Sequence, residues 1–359
     1  MAVALGLARR GLGRVAPNPA VGCVIARDGR VVGRGWTQPG GRPHAETEAL
    51  ARAGGAARGA TAYVTLEPCA HHGQTPPCAD ALIGAGVARC VVALEDPDGR
   101  VAGAGLARLR AAGIEVSFGV HAEAAAALNE GYLLRAREGR PLVTLKLAST
   151  LDGRIATKQG DSRWITGPAA RARAHLLRAR HDAVLVGSGT AVADDPRLDV
   201  RVPGLGAADP VRVVLDGRLR LPLTHDLVAR AREQATWLLT RAGGAAARLR
   251  AYEQAGVTVI AVEEDDDGHI CLAGALAALG ARGITRVLVE GGGRVAAGLL
   301  RRRLVDRIVW FHAPSIVGGD GTPAVSGFGV EALGEAPGFA LDRVERVGDD
   351  LMETYVRRA

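Results

Sequence analysis

Residues 68–78 read P-C-A-H-H-G-Q-T-P-P-C, and a shorter H-A-E motif lies upstream at residues 44–46. Together these segments offer one imidazole and two thiols as metal ligands, from His44, Cys69 and Cys78. Three protein ligands leave one position of a tetrahedral zinc open to water, as a catalytic zinc requires. Glu46, at the start of a predicted helix, can take a proton from that water without being a ligand. The sequence therefore predicts a hydrolytic zinc site.

Short β-rich runs alternate with helical patterns on both sides of these motifs. This rhythm is typical of a layered α/β domain. The predicted strands are 21–26, 62–66 and 90–94, and the predicted helices are 45–53 and 78–84. Residues 1–7 predict a first amphipathic helix and not a signal peptide, because two arginines follow them and no cleavage motif is present.

A polar segment with glycine and proline at residues 138–141 interrupts this pattern, and a second alternation follows it. The predicted strands there are 142–147, 183–186, 211–215, 235–239, 257–262, 286–289 and 307–311, and the predicted helices are 168–180, 243–255, 273–282 and 294–303. A chain of 359 residues is more than twice the length of a typical domain. We therefore predict two domains, at residues 1–140 and 141–359.

The net charge of +7 is spread over the chain without a run of like charges, and aromatic residues make up 3%. Nucleic-acid-binding proteins concentrate positive charge on one face and add aromatic side chains for stacking. We therefore expect no nucleic acid partner and a small anionic substrate instead. No segment reaches the 18 apolar residues of a membrane helix, so we expect no membrane partner. Only two of the 45 basic residues are lysines, Lys146 and Lys158, so either is a candidate for a chemical role.

The chain has five cysteines, an odd and sparse set for its length. Such a set argues against a disulfide framework and predicts a reducing compartment, which is the cytoplasm. Cys23, Cys90 and Cys271 have no ligand partners in the sequence and are predicted to lie in the core.

The combination of H-x-E, P-C and a later cysteine is the mark of zinc nucleobase deaminases, although eight residues separate the two cysteines here in place of two. The longer spacing, with A-P-N-P-A-V-G-C-V at residues 16–24 and T-L-E-P-C at residues 65–69, resembles the deaminase half of the bifunctional riboflavin-biosynthesis deaminase/reductases. This resemblance implies that His44, Cys69 and Cys78 bind zinc and that Glu46 shuttles protons. It places Asn18, His71 and Thr75 in loops around the pyrimidine and phosphate. Gln74 stands where the family usually has Arg or Lys, so that basic contact is absent.

A glycine-rich segment at residues 287–298 reads V-L-V-E-G-G-G-R-V-A-A-G. A strand, a glycine turn and a helix start form an arrangement whose backbone amides bind phosphate. The segment matches the relaxed dinucleotide fingerprint only with Ala296 in the final glycine position. On its own it is a weak indication of a nucleotide site.

Segments 146–156, 160–167 and 186–201 extend the resemblance to the reductase half of the same family, over nearly the whole chain. It implies a cytidine-deaminase-like zinc domain followed by a dihydrofolate-reductase-like α/β domain, with NADPH as hydride donor. The implied cofactor contacts are Ala148, Trp164, Thr190, Asp194 and a turn formed by Gly292, Gly293, Arg294, Val295, Ala296, Ala297 and Gly298. The implied substrate contacts are Ser162, Arg178, Leu198, Arg201 and Glu290. Gly217 stands where the family usually has serine, which removes a hydroxyl contact to the cofactor.

Reduction of a ribosylamine to a ribitylamine requires that the sugar ring opens to an imine, which then accepts a hydride at C1′. A positioned acid assists the opening, and guanidinium groups hold a 5′-phosphate by paired hydrogen bonds. Arg178 and Arg201 suit the phosphate role. Either Asp194 or Lys146 could supply the proton, and the sequence does not decide between them.

We therefore expect a bifunctional enzyme. It removes ammonia from 2,5-diamino-6-ribosylamino-4(3H)-pyrimidinone 5′-phosphate by hydrolysis and then reduces the ribosyl side chain with NADPH. The expected cofactors are one Zn²⁺ per chain and NADPH, and the chain is expected to form a homo-oligomer. Two alternatives stay open: a deaminase that acts on a base within RNA or DNA, and a non-catalytic zinc-stabilised protein that senses a nucleotide. Sparse aromatic residues count against the first, and Glu46 beside an open zinc position counts against the second.

Overall fold

The computed structural model describes residues 1–73, 76–98, 102–202, 204–205 and 209–358. The chain divides into two compact units, Met1–Gly139 and Arg140–Ala359. Each unit has a β-sheet and hydrophobic clusters of its own. Within the described ranges, no helix is both long enough and apolar enough to cross a membrane.

The first unit is a five-stranded sheet covered by helices. Its strands are β1 Gly22–Arg27, β2 Arg30–Trp36, β3 Thr61–Val64, β4 Arg89–Val92 and β5 Glu115–Phe118, and its helices are α1 Ala2–Ala8, α2 Ala45–Ala53, α3 Cys78–Gly84, α4 Ala104–Ala111 and α5 Ala122–Glu138. The order is β2-β1-β3-β4-β5, with β1 antiparallel to both neighbours and β3, β4 and β5 parallel. Cys23 and Ile25 face the cluster formed with α2, α3 and α4, whereas Val24 faces α1 on the opposite side. The sheet therefore lies between two helical layers.

Helix α2 lies unusually close to strand β2. A side chain at Gly33 would collide with the Ala49 carbonyl oxygen, and one at Gly35 would collide with the Ala45 carbonyl oxygen. Only glycine permits this approach, because it has no Cβ. The contact fixes the start of α2, where His44 and Glu46 lie, against the sheet.

The second unit contains a nine-stranded, mostly parallel sheet. The strands of the whole unit are β6 Leu142–Thr150, β7 Arg154–Ala156, β8 Ala183–Gly187, β9 Val211–Leu215, β10 Thr236–Arg241, β11 Thr258–Val262, β12 Arg286–Val289, β13 Arg307–Ala313, β14 Thr322–Pro323, β15 Phe339–Val347 and β16 Asp350–Arg357. The order is β11-β10-β9-β8-β12-β6-β13-β16-β15, and the last two strands are antiparallel to their neighbours, while β7 and β14 form a separate pair. The helices are α6 Pro168–Arg178, α7 Ser188–Asp194, α8 Asp226–Ala229, α9 Ala246–Ala255, α10 Leu272–Ala281 and α11 Gly293–Arg301. Parallel strands bring the loops after β8, β9 and β12 to one edge of the sheet, where such folds bind ligands.

Most of the predicted elements are present, with ends within about three residues. The helices predicted at 45–53 and 78–84 match α2 and α3. The helix predicted from residue 243 begins instead at Ala246, because Gly243 adopts a left-handed conformation. Strand β2 and the β15–β16 hairpin were not predicted. Strand β15 is an edge strand with much of its length exposed, so it has no continuous apolar run to reveal it.

The cysteines outside the predicted metal site occupy two kinds of position. Cys23 and Cys90 are fully buried, which confirms the core prediction for both. The prediction is wrong for Cys271, which is only half-buried and lies at the N-terminus of α10. Its sulfur accepts a hydrogen bond from the Gly274 amide at 3.4 Å, so it caps the helix and does not fill the core.

Candidate active sites

Three metal-ligating side chains converge in the first unit. His44 immediately precedes α2, Cys69 lies in the loop after β3, and Cys78 is the first residue of α3. His44 Nδ1 lies 3.3 Å from Cys78 Sγ and 3.7 Å from Cys69 Sγ. The bond lengths of a tetrahedral zinc require roughly 3.5–3.8 Å between such ligand atoms. The donor set and its spacing therefore fit one zinc ion, with all three ligand atoms within 4.8 Å of one another.

The two thiols of this cluster share a proton. The hydrogen bond from Cys78 lowers the pKa of the Cys69 thiol to about 4, although burial opposes the effect. The same hydrogen bond, together with burial, raises the pKa of Cys78. The Cys78 amide also donates to Cys69 Sγ at 3.3 Å. The lowered pKa favours the thiolate form of Cys69, the form in which a cysteine binds a metal.

Glu46 is buried in the first turn of α2 beside the cluster. Burial raises the pKa of its carboxyl to about 7, although the charge on His44 opposes this shift. Its carboxyl also hydrogen-bonds with the Cys78 side chain. A carboxyl that exchanges its proton near neutral pH suits a general acid and base.

Two further residues that the sequence assigned to the first site, Asn18 and His71, lie in loops. Asn18 donates from its side-chain amide to the Gly41 carbonyl at 2.9 Å, which fixes its orientation. Nδ1 of His71 is buried and has no hydrogen-bond partner among the described residues. An orphaned polar atom of this kind is available to a ligand. Gln74 and Thr75 lie outside the described residues.

A cavity of about 670 Å³ opens at the sheet edge of the second unit, where β8, β9 and β12 end. The lining includes seven residues that the sequence assigned to the cofactor, namely Thr190, Asp194, Gly292, Gly293, Arg294, Val295 and Gly298. Gly217 lines it too, as do six arginines, Arg218, Arg220, Arg241, Arg294, Arg301 and Arg302. A side chain at Gly293 would come within 3.1 Å of the Pro323 carbonyl oxygen, so the start of α11 packs closely against the segment that contains Pro323. A cavity of this size, lined by arginines and by the start of a helix, fits a dinucleotide phosphate.

The segment predicted as a turn from Gly292 to Gly298 is mostly helical. Only Gly292 has a left-handed conformation, and α11 starts at Gly293. The helix turns Val295 and Gly298 towards the cavity, since residues three apart share a face. Ala296 and Ala297 are buried instead, and the described cavity lining does not include them.

Two further residues assigned to the cofactor lie apart from the described lining of this cavity. Ala148 is half-buried in β6 and packs against the cluster that contains Val309 and Phe311. Trp164 is 70% exposed, and the Arg171 guanidinium lies 4.7 Å from its ring centre. Both stay predictions.

The residues assigned to the substrate cluster around a buried ion pair. Arg178, the last residue of α6, donates to Glu290 through Nε at 2.5 Å and through Nη2 at 2.8 Å. Its Nη1 donates to the Asp199 carbonyl at 3.0 Å. Burial on its own raises the pKa of Glu290, but the charge and hydrogen bonds of Arg178 outweigh it and lower that pKa. Glu290 is therefore an ionised carboxylate held in a fixed position.

Arg201 extends this cluster towards solvent. Its guanidinium is 61% exposed and forms an ion pair with Asp199 at 3.2 Å, while its amide donates to His175 Nδ1 at 3.2 Å. The adjacent Leu198 is buried in a left-handed conformation, and Ser162 lies half-buried in the loop before α6. The sequence assignment did not include Asp199 and His175. Their places in the sequence could have indicated Asp199 and His175 as members of the site. Asp199 follows Leu198 directly, and His175 precedes Arg178 by nearly one helical turn.

Lys146 lies in the middle of β6, where the charges of Glu290 and Arg178 both affect its pKa. Burial lowers the pKa of its ammonium, Glu290 opposes the shift and Arg178 adds to it. Its Nζ also lies 5.8 Å from the Phe311 ring centre. Asp194, the other candidate proton donor, is exposed at the end of α7.

Two family descriptions match the chain. The cytidine and deoxycytidylate deaminase zinc-binding region matches residues 1–94, and the RibD C-terminal domain matches residues 141–352. The riboflavin biosynthesis protein RibD of Escherichia coli is 43% identical over 98% of this chain and 96% of that protein. The protein of the same name from Aquifex aeolicus is 41% identical over 99% and 97%.

Solved structures of similar proteins also carry the names of riboflavin-biosynthesis enzymes. Acinetobacter baumannii RibD superposes with a TM-score of 0.89 at 38% identity, covering 99% of this chain and 97% of that one. A Thermotoga maritima diaminohydroxyphosphoribosylaminopyrimidine deaminase/5-amino-6-(5-phosphoribosylamino)uracil reductase superposes with a TM-score of 0.87 at 35% identity, covering 100% and 97%.

Fold, sites and relatives together define the class as a zinc-dependent deaminase joined to a reductase. The chain belongs to the RibD family of bifunctional riboflavin-biosynthesis enzymes. It deaminates 2,5-diamino-6-ribosylamino-4(3H)-pyrimidinone 5′-phosphate and reduces the ribosyl side chain, which gives 5-amino-6-ribitylaminouracil 5′-phosphate. Zinc and NADPH are its cofactors. These findings confirm the predicted fold class, activities and cofactors, and they decide against both alternatives.

Proposed function

We propose that deamination takes place within residues 1–140 and reduction within residues 141–359, each with its own set of reacting groups. One observation carries the first half of this assignment: His44, Cys69 and Cys78 lie within reach of a single ion. For the second half, the support is the Arg178–Glu290 pair with Lys146 beside it.

In the deaminase site, His44, Cys69 and Cys78 hold the zinc. A zinc ion in such a site supplies Lewis acidity that makes a water molecule acidic. Glu46 accepts a proton from the attacking water and returns it to the departing amino group, which leaves as ammonia. Its burial favours this exchange, because the charged and neutral carboxyl differ little in free energy near neutral pH. Asn18 and His71 orient the pyrimidine and its phosphorylated side chain. Thr75 stays a predicted contact of the same substrate.

In the reductase site, Lys146 is the proton donor and Asp194 is not. Burial lowers the pKa of Lys146, so its ammonium gives up a proton more readily than an exposed lysine does. The ion pair between Glu290 and Arg178 holds one negative and one positive charge in fixed positions beside Lys146. Asp194 is exposed and lies in the cavity lining, so it contacts the cofactor instead.

NADPH would supply the hydride, and the 670 Å³ cavity would hold it. Thr190, Gly292 and Gly293 would contact it, and the arginines of the lining would supply positive charge for its phosphates. Ala148 and Trp164 remain proposed contacts to the same cofactor, together with Arg294, Val295, Ala296, Ala297 and Gly298.

The substrate lies against the Arg178–Glu290 pair. A guanidinium has five N–H donors, and three of those on Arg178 are occupied by Glu290 and Asp199. Among the described residues, the other two, one each on Nη1 and Nη2, have no partner and are available to the substrate. The more exposed Arg201 meets the 5′-phosphate, and Ser162 and Leu198 complete the contact surface.

We further propose that the protein acts in the cytoplasm as a homo-oligomer. Its dependence on a zinc-bound thiolate pair favours a reducing compartment. The oligomeric state is measured by sedimentation of the purified chain.

Cutting the chain after Gly139, which keeps the buried Arg140–Asp306 ion pair within the second piece, tests the assignment of one reaction to each unit. We expect residues 1–139 to release ammonia without NADPH, and residues 140–359 to oxidise NADPH when given the deaminated substrate. Each piece has its own sheet and core, which supports independent folding. A C-terminal piece that is folded, yet reduces the substrate only after the N-terminal piece is added, contradicts the proposal.

Replacing Arg178 with Ala should raise the KM for the phosphorylated substrate by roughly 30-fold or more, as expected for loss of about 2 kcal/mol from a buried charged contact. The KM for NADPH should change little, because Arg178 faces the substrate. Arg180→Ala is the matched control, since Arg180 is exposed two residues further on. If Arg178→Ala raised the KM for the substrate and the KM for NADPH equally, Arg178 would be assigned to the cofactor.

A further inference from the structure

Glu67 is a buried carboxylate just before the zinc ligand Cys69, and the chemistry described above does not use it. Its side chain is only 4% exposed. Oε1 accepts from the amides of Gly105 at 2.8 Å and Leu106 at 3.1 Å. Oε2 accepts from Gly103 at 3.0 Å and Asp96 at 3.3 Å. All four partners are backbone donors.

Three of these donors belong to the start of helix α4. The residue that precedes the helix is Gly103, which has a left-handed conformation and no side chain to cap the helix. The first amides of a helix have no partners within it and attract negative charge. Glu67 therefore supplies, from a segment 36 residues away in the chain, the cap that α4 lacks.

Helix α4 in turn contacts both chain neighbours of Cys69. A side chain at Gly105 would collide with the Pro68 carbonyl oxygen, so the helix backbone lies directly against Pro68. One turn further along, Arg108 donates from Nη1 to the Ala70 carbonyl at 3.0 Å. Its Nε lies 2.6 Å from Asp80, which is in the helix that begins at Cys78.

We propose that Glu67 is a positioning residue for the zinc site: by fixing the start of α4 against Pro68, it holds Cys69 at ligand distance from His44 and Cys78. The proposal rests on the zinc ligand set given under Proposed function. A zinc site tolerates deviations of only about 0.2 Å in its bond lengths. A small shift of the loop that carries Cys69 therefore weakens metal binding before it unfolds the unit.

Glu67→Gln tests this role with little change in shape. The amide places an NH₂ group opposite two backbone N–H donors, so one pair of hydrogen bonds is lost. We expect the zinc affinity of the metal-free chain, measured by competition with a chelator, to fall at least 10-fold, as is typical for groups that support metal ligands. The visible spectrum of the cobalt-loaded chain should also change, because it reports ligand geometry. Glu115→Gln is the control, since Glu115 is exposed and its side chain pairs with Arg89 at the surface.

NADPH oxidation with the deaminated substrate depends on the second unit and should stay at the wild-type rate in Glu67→Gln. The circular dichroism of the variant, compared with the wild type, shows whether the first unit is folded. Gly105→Ala provides a second, independent displacement of Pro68 and should weaken zinc binding in the same way. Gly84→Ala is its control, because a side chain at Gly84 in α3 meets nothing within 4 Å.

The inference is overturned if Glu67→Gln and Gly105→Ala both bind zinc with wild-type affinity and give an unchanged cobalt spectrum. Cys69→Ser separates this failure from a wrong ligand set. If Cys69→Ser loses zinc while the other two variants keep it, only the role of Glu67 is wrong. If Cys69→Ser keeps its zinc, the ligand set is wrong and the role of Glu67 fails with it.

Discussion

Glu46→Gln should lower ammonia release by roughly 10²–10⁴-fold, the range that a positioned general acid and base contributes. Glutamine has the same shape but cannot accept a proton from water. The three zinc ligands are untouched, so the variant should keep about one zinc per chain. Ammonia release and zinc content are measured on the same sample.

Glu48→Gln is the matched control, because Glu48 lies on the same helix and its side chain pairs with Arg52 at the surface. Its activity should stay close to that of the wild type, since an exposed pair of this spacing contributes about 0.3–0.5 kcal/mol. NADPH oxidation with the deaminated substrate should be unchanged in both variants. If zinc content falls together with ammonia release in Glu46→Gln, Glu46 is a ligand and its role as proton shuttle is wrong.

Lys146→Met should abolish most of the reduction, again by roughly 10²–10⁴-fold, while ammonia release continues. Methionine fills a similar volume without an acidic proton. Lys158→Met is the control, because Lys158 is the only other lysine in the chain and its side chain is 77% exposed. The measurement is the single-turnover rate of NADPH oxidation with saturating deaminated substrate.

The pH dependence of the same step gives a second measure of Lys146. The acid form is required, and burial lowers the pKa of Lys146, so the rate should fall with rising pH earlier than an ordinary lysine would cause. Lys146→Arg keeps the charge but does not release a proton in this range, so its lower rate should not show that fall. An unchanged fall in Lys146→Arg would assign the titration to another group and contradict the role of Lys146 as proton donor.

The zinc cluster could be predicted from sequence because its parts are chemically distinctive and lie in short motifs. His44 and Glu46 are two residues apart at a helix start, and Cys69 and Cys78 frame one loop. Few arrangements of one imidazole and two thiols serve any purpose other than metal binding. The prediction of the zinc ligands therefore depended mostly on residue type.

The supporting groups could not be predicted in the same way. Glu67 acts on backbone amides nearly 40 residues away, and amides leave no mark in a sequence. Arg178 and Glu290 are 112 residues apart. Because the chain is so rich in arginine, the sequence did not indicate which arginine pairs with Glu290. The difference between the predicted turn at Gly292 to Gly298 and the observed helix has a local cause: a glycine run was interpreted as a continuous turn, whereas the helix starts within it.

The two glycines of β2 set a boundary for protein engineering. Because Gly33 and Gly35 bring α2 into backbone contact with the sheet, no side chain remains there that could be trimmed to bring the helix closer. Any larger residue moves the helix outwards, and His44 and Glu46 move with it as one body. A redesign for a different heterocycle therefore has its freedom in the loops that carry Asn18 and His71. Strand β2 is best left as the fixed reference from which such changes are planned.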